Sequence, residues 1–535
     1  MYLVDAGKQY KHKYSPCKLL VESYRDENGI PRRRTILNLS KLSEELASTI
    51  EQQALGKRMV ALEDLTETDN RSLGEVTVLK RLSDRLGLGK ILQQKLGGLI
   101  AGLTLSMAVN RISLPKAKYS LREWVETTYL PEILGIKLSD YHHNTLYEVL
   151  KTLADKQAGI EEALWEKTQG AEEGLTLMLY DITSTYLEGQ QNELAEYGYS
   201  RDKKRGKRQI NIALVTTPKG RPVAVEVLKG NVTDKATLLG KIEELEKRFQ
   251  LKEIVYVFDR GMGDEGKLEV LRSREIKYIT ALTKGEIKKL IEKGAPIQPG
   301  LFDERDIAEY ETEGRRYIIC KSDVATRSAK TRESLLQKTE EKLEMIKRNV
   351  QNGRRKNPQK IAAWAEKWLL KWKMKKYFEV EIKEGHFAYH RKTDLIAKAK
   401  ELDLVYVLET TETKLSAKEV QRGYKNLSVV ESDFRTMKSY LKVRPVHHRK
   451  EATVRGHVFV CFLGLYLRKE LELQLQPLLK DHTFSYLLTQ LREIRQSKLT
   501  AGKYQTHIVN ELGPLQKEIL SALCMKVPPI TPQID

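Results

Sequence analysis

Between residues 175 and 283, short apolar runs alternate with turn signals and amphipathic stretches in an order that few folds accommodate. The run LTLMLYDITSTYLEG reads as a buried strand ending on a carboxylate, Asp181, followed by small hydroxyl residues. A basic loop leads to a strand at about Gln209–Thr217, a turn at Pro218–Gly220 and a strand at about Pro222–Lys229. Leu238, Leu239, Ile242, Leu245 and Phe249 then give Asp234–Phe249 one apolar helical face, with Asp234 read most simply as its N-cap and otherwise as part of a loop approaching the strand-end carboxylates. EIVYVFDRG is a fourth strand ending on Asp259, a helix is expected from about Asp264 to Arg274, and KYITALT closes the series. Three strands, helix, strand, helix, strand is an α/β arrangement whose first three strands form a meander.

The text on either side differs. Residues 3–24 and 32–39 alternate around Asp26-Glu27-Asn28-Gly29, a β-hairpin signal, and a helix is expected from about Ser40. Residues 76–167 read as helical, with Leu79, Leu82, Leu86, Ile91 and Leu92 near helical spacing, as either a DNA-reading module or a packing domain. After Lys284 the strand series is interrupted. Tyr310–Cys320 reads as a hairpin turning at Glu313-Gly314, and Thr331–Val350 with residues 359–374 reads as a helical hairpin around NGRRKNP. Trp364, Trp368 and Trp372 fall at i, i+4 and i+8, a stripe that packs or stacks on unpaired bases, packing being the commoner use. Strands at about Tyr377–Ile382 and Leu404–Glu409 follow, then the stretch Tyr424–His447, an apolar helix at Val454–Leu473 and another helix at Phe484–Gln496.

Charge bears on what such a chain touches. A net charge of +20 favours a polyanionic partner, nucleic acid above all. The run Arg201–Arg208 sits between the first two strands with Lys203, Lys204, Arg205, Lys207 and Arg208 in it, a candidate for DNA-backbone contact. Four cysteines without any C-x-x-C spacing argue against a zinc cluster or a disulfide framework and suit a reducing cytoplasm. The longest apolar run, Val458–Leu467, is too short to span a bilayer.

Three carboxylates stand out by position. If the first and fourth strands are neighbours, Asp181 and Asp259 sit side by side, where they repel unless cations neutralise them. Hard oxygen ligands favour Mg²⁺ or Mn²⁺, and two such ions serve phosphoryl transfer. Glu431 lies downstream on an expected helix, with Arg435 and Lys438 at i+4 and i+7 on its face. That group is either a surface salt-bridge ladder or a third arm of the same site, and Arg435 either clamps a phosphate or pairs with Glu431. Glu188 reads as a loop carboxylate or a support for Asp181. His447 and His448 make a poor metal pair, because adjacent helical residues point about 100° apart.

The strand order with Asp181, Asp259 and Glu431 resembles the RNase H-like fold of DDE transposases. Tyr424–His447 resembles the signature Y-x2-R-x3-E-x6-K of the IS-four family of bacterial insertion sequences, with Tyr424, Glu431 and Lys438 matching and Leu427 at the Arg position. The pairing of YDITSTYLEG with VFDRGM and the sequence Arg444-Pro445-Val446-His447 are similar to one branch of that family. The resemblance implies an RNase H-like core with a long mixed β and helical-hairpin insertion, behind a mainly helical N-terminal region. The residue pattern outside 175–475 and the resemblance within it together divide the chain into an N-terminal hairpin and helix (1–75), a helical and DNA-binding candidate (76–170), the first part of the core (171–284), the insertion (285–412), the catalytic helix and core completion (413–475) and a helical tail (476–535). The resemblance also implies a magnesium- or manganese-dependent endonuclease and transposase with two ions on Asp181, Asp259 and Glu431. Tyr424 and Lys438 would hold phosphates of the terminal inverted repeats, and a homodimer would pair two DNA ends before joining them to target DNA in the bacterial cytoplasm. A nuclease with the same core and no strand transfer, and a non-catalytic DNA-binding protein, are the alternatives.

Overall fold

A computed structural model describes residues 1–6, 17–56, 61–169, 176–189, 191–198, 206–232, 240, 244, 247–249, 254–259, 265–295, 297, 307–312, 315–322, 325–502 and 504–527. The chain forms two compact units. One comprises Met1–Glu75, Thr127–Tyr129 and Leu487–Asp535, the other Val76–Glu126 and Leu130–Tyr486.

The larger unit begins with helices, including α1 (Gly98–Ser113) and α2 (His143–Gln169). Its sheet then starts with β1 (Thr176–Tyr186), β2 (Gln209–Thr216), β3 (Pro222–Lys229) and β4 (Ile254–Phe258). Helix α3 (Glu265–Ser273) leads to β5 (Lys277–Ala281), and β6 (Ile307–Thr312) and β7 (Arg315–Lys321) follow. A helical hairpin, α4 (Ala325–Gln351) and α5 (Pro358–Lys371), precedes β8 (Val405–Thr410). Last come α6 (Ala417–Lys425), α7 (Leu427–Arg435) and α8 (Glu451–Gln474).

The eight strands form one mixed sheet in the order β6-β7-β8-β5-β4-β1-β2-β3. β1, β2 and β3 run antiparallel as a meander, and β4 and β5 then add parallel to β1 on its other side. β8, β7 and β6 extend the sheet antiparallel beyond β5. The strands read as near-continuous apolar runs because both faces are covered: β2 and β4 are buried at every position. Met178, Tyr180, Ala213, Val215, Tyr256 and Phe258 pack with Trp165, Phe249, Leu268 and Leu271.

Helix α8 is apolar around most of its circumference, and Val458 to Leu467 is buried throughout, as expected of a helix with protein on all sides. It crosses α2 closely at Gly456, where an added Cβ would lie 2.0 Å from the Leu150 carbonyl oxygen. Among the described residues no helix is long and apolar enough to cross a membrane.

The tryptophans of the helical hairpin pack. Trp364, Trp368 and Trp372 lie half-buried against a core of Leu336, Leu343, Ile346, Ile361, Ala365 and Leu369. The stretch from Tyr424 is not one regular helix: α6 ends at Lys425 with Asn426 as its C-cap, α7 starts at Leu427, and a π-helical turn spans Thr436–Tyr440. The expected helix Asp234–Phe249, its cap Asp234 and the turn Glu313-Gly314 fall wholly or largely outside the described residues, although 247–249 are helical.

In the smaller unit Cys17–Arg25 and Pro31–Asn38 pair as the expected hairpin, with Tyr2–Ala6 on the other side of Cys17–Arg25. Asp26 fixes the turn, its Oδ1 accepting from the Asn28 and Ile30 amides at 3.1 and 2.9 Å. The helix after it begins at Glu44 with Ser43 as N-cap. The stretch beyond 476 is not helical throughout, as the sequence suggested. The helix from Phe484 ends at Arg492, and Arg495–Ala501 pairs with Tyr504–Val509 and with Thr66–Ser72.

Candidate active site

The parallel pairing of β1 with β4 puts two carboxylates level. Its last paired residues are Leu179 and Val257, so Asp181 and Asp259 both stand two residues further along adjacent strands. β4 ends at Phe258, which leaves Asp259 exposed at the strand end, whereas Asp181 is half-buried within the longer β1. Asp181 Oδ1 accepts the Ile182 amide at 2.8 Å, a contact that orients the carboxylate. Across this strand end lies α7, its inner face buried through Val430, Asp433 and Phe434 and its outer face carrying Glu431.

Asp181, Asp259 and Glu431 line two adjoining clefts of about 490 and 390 Å³. The larger runs toward Lys284, Tyr406, Tyr424, Lys425 and Leu427. The smaller runs toward Thr183, Arg435, Lys438 and Arg444. The three carboxylates therefore sit at the junction of two cation-lined grooves. Tyr424 donates its hydroxyl to Asp259 Oδ1 at 3.3 Å, and Lys438 Nζ donates to Thr183 Oγ1 at 2.8 Å. No ion pair joins Glu431 to Arg435, and neither side chain has a hydrogen-bond partner among the described residues. Glu431, Arg435 and Lys438 thus do not form the surface ladder that was one reading of their spacing.

Carboxylates are the right donors for a hard divalent ion. Among the described residues no three of His, Cys, Asp and Glu are close enough to share one ion.

Buried interactions fix α7 and the strap that follows it. Lys469 Nζ on α8 lies 2.8 Å from Asp433 Oδ1, and burial pushes the Asp433 carboxyl up to about 6 against the pull of Lys469. Arg111 of α1 donates to the carbonyls of Leu441 and Lys442, both at 3.4 Å, and His457 of α8 bonds the Val443 carbonyl at 3.1 Å. Lys118 Nζ lies 3.3 Å from His457 Nδ1, and burial holds the Lys118 amine and the His457 ring well below their ordinary values. Val446 then bridges to Leu187 at the end of β1, and the Glu188 amide donates to the Val446 carbonyl at 3.0 Å. The strap bearing Arg444 is thereby held at both ends beside β1.

The Transposase DDE domain family matches residues 172–467, more than half of the chain. The chain belongs to the DDE transposase family. It is a DDE-type DNA transposase of an insertion sequence, since residues 9–62 also match the IS1634 family transposase N-terminal domain. Divalent-metal dependence and DNA as partner come with the family. No curated protein matches the transposase. Among solved structures, a piggyBac transposase synaptic complex with hairpin DNA is similar at a TM-score of 0.34 and 7% identity, over 73% of this chain and 70% of that one.

Some residues singled out from the sequence lie away from the cleft or outside the described residues. Lys203, Lys204 and Arg205 belong to the latter group. Lys207 pairs with Glu188 at 2.6 Å, which makes Glu188 a loop carboxylate, and Arg208 lies over the Tyr197 ring at 5.6 Å. His447 is exposed, and the His448 ring lies tilted against that of His457 with centroids 4.9 Å apart and is pushed down to about 3 by burial and by Lys118 and Arg111. Conversely, the transposase brings in Thr183, Lys284, Tyr406 and Arg444, which residue spacing did not single out as site residues. Of these, Thr183 inside YDITSTYLEG and Arg444 inside Arg-Pro-Val-His lay in stretches that carried a signal, whereas Lys284 and Tyr406 did not.

Proposed function

We propose that Asp181, Asp259 and Glu431 are the catalytic carboxylates of this transposase, holding two Mg²⁺ or Mn²⁺ ions between them. The observation that carries this is the β1–β4 register, which sets the aspartates level at one strand end, with Glu431 facing the same cleft from α7. The order β3-β2-β1-β4-β5, with three antiparallel strands and two parallel ones, supports reading the core as RNase H-like. The stretch between β5 and α6 is then an insertion into that core. The Tyr424, Glu431 and Lys438 spacing supports the IS-four signature.

Bound there, the ions would supply an activated attacking oxygen and charge neutralisation for the leaving one. The chain's own part is positioning. Tyr424 and Lys438 flank the carboxylates on opposite sides and are placed to receive the phosphates next to the cut. Arg435, unpaired with Glu431, is placed to clamp a phosphate bidentately. Arg444 adds a cation at the far wall of the smaller cleft. Two in-line transfers follow on this reading, cleavage at the terminal inverted repeats and joining of the 3′ hydroxyl to target DNA, with two copies of the chain pairing the two ends.

Asp181→Asn, Asp259→Asn and Glu431→Gln are each expected to abolish Mg²⁺-dependent cleavage of the element's own end sequence while gel-shift affinity for that end stays near wild type. Cleavage at the wild-type rate by any one of them removes that residue from the site.

A further inference from the structure

Residues 325–376, which hold the helical hairpin α4–α5, contain sixteen lysines and arginines against five glutamates. That net +11 is more than half of the chain's +20, concentrated in about a tenth of its length. The few acids are mostly engaged within this region. Glu333 and Glu340 both pair with Arg391, Glu344 accepts from the Tyr389 hydroxyl at 2.9 Å, and Glu366 pairs with Lys375. Of the sixteen cations only Arg332, Arg348 and Lys375 form an ion pair with a described carboxylate.

Several of the remaining cations are held in another way. Arg355 lies 4.0 Å over the Trp364 ring, Lys342 and Lys371 lie 5.3 and 4.6 Å over Trp368, and Lys371 is also 5.3 Å from Trp372. The tryptophans pack their other sides on the hairpin core. A cation over an aromatic face is pre-organised without being neutralised, whereas a carboxylate partner would cancel its charge. On α5, Lys360, Lys367 and Lys371 follow one another at seven and four residues, so they share a helix face beside the tryptophan stripe. The covered rings are not free to stack on unpaired bases. What the hairpin presents is a fixed row of unneutralised positive charge.

We infer that the α4–α5 hairpin is a sequence-independent docking surface for the phosphate backbone of duplex DNA, separate from the carboxylate cleft. The inference deepens the transposase reading by giving the enzyme a grip on duplex that does not depend on end sequence. Backbone contacts of this kind add affinity through counterion release and carry no base information.

The test uses the full-length protein in EDTA, so that it is independent of catalysis, and an unrelated duplex of about 30 base pairs as probe. The variant is Lys342→Gln/Arg355→Gln/Lys367→Gln/Lys371→Gln, with Lys342→Arg/Lys367→Arg/Lys371→Arg as its charge-conserving control. Each phosphate left unneutralised makes the plot of log affinity against log salt shallower by about 0.9, so the neutral variant is expected to lose up to about 3.6 from the slope. The control is expected to keep the wild-type slope. An unchanged slope in the neutral variant overturns the proposal. So does an equal loss in the control, which would mark the cations as structural, or a preference for single-stranded over duplex probe. A failure here leaves the carboxylate variants to decide the catalytic reading on their own, and inert carboxylates would leave this binding result intact.

Discussion

Replacing Lys469 by methionine removes the cation that holds the Glu431-bearing helix against α8 while keeping most of the aliphatic stem. The Lys469 and Asp433 side chains are 14% and 1% exposed, and Asp433 Oδ2 is buried without a donor among the described residues. Burial lifts Asp433 from 3.8 to about 6 even with Lys469 opposing the rise. A folded-state pKa above the unfolded one means that the folded chain holds the proton more tightly. This group's contribution to stability therefore falls as pH rises from about 4 through about 6, and the penalty is fully present above that window. Without Lys469 the folded pKa climbs further and the penalty at pH 8 grows. Removing one partner of a buried pair costs about 3–5 kcal/mol, and the partial exposure of Lys469 favours the lower end, about 3 kcal/mol. At roughly 2 °C per kcal/mol for a large domain, the melting temperature should fall by about 6 °C at pH 8. At pH 5, where the buried carboxyl carries its proton, the loss relative to wild type should be less than half of that. Asp433→Asn in the Lys469→Met background should recover most of it. Melting curves at the two pH values provide the assay, and an equal loss at both would refute the reasoning.

Gly456→Ala drives a Cβ into the Leu150 backbone and should separate α8 from α2, with an expected cost of about 3 kcal/mol read as a lower melting temperature. Leu427 lines the larger cleft at the motif position where an arginine is expected, so Leu427→Arg should make the salt dependence of binding to the element's ends steeper by about 0.9. His448 is held down to about 3 by burial, so between about pH 6.5 and 3 the unfolded chain takes up a proton there that the folded chain refuses. The melting temperature should accordingly fall as pH drops through that window, and less steeply in His448→Gln than in wild type.

The strand series around the two aspartates was legible because buried parallel strands flanked by helices leave apolar runs of strand length, each followed by a carboxylate, although β1 does not end there as expected but continues through Asp181 to Tyr186. Glu431 was legible only through its spacing from Tyr424 and Lys438. The walls of the cleft were not, because Thr183, Tyr406, Lys284 and Arg444 meet there through contacts across more than a hundred residues, which no local period encodes. Thr66–Ser72 escaped for a different reason. Its sequence, TETDNRS, is wholly polar, and it is a strand because Arg495–Ala501 pairs with it from more than 400 residues away. The hairpin Phe378–Lys383 with His386–Arg391 turns at Glu384-Gly385, where Gly385 adopts a φ of +66°. Its first strand was anticipated, and the second, HFAYHR, was not. The tryptophan stripe was read as core and is half so: its outer faces carry cations from α4, from the turn and from α5 itself, a pattern that depends on how the hairpin closes.

The most direct test of the central claim is metal occupancy. Mn²⁺ titrated into the complex of full-length protein with its terminal inverted repeat, taken from the DNA flanking the coding region, can be counted by electron paramagnetic resonance. Wild type should bind two ions per active site with the exchange coupling expected of a pair about 4 Å apart. Asp181→Asn, which removes the carboxylate level with Asp259, should lose that coupled signal while still binding the DNA. A coupled pair that persists unchanged in Asp181→Asn would contradict the account.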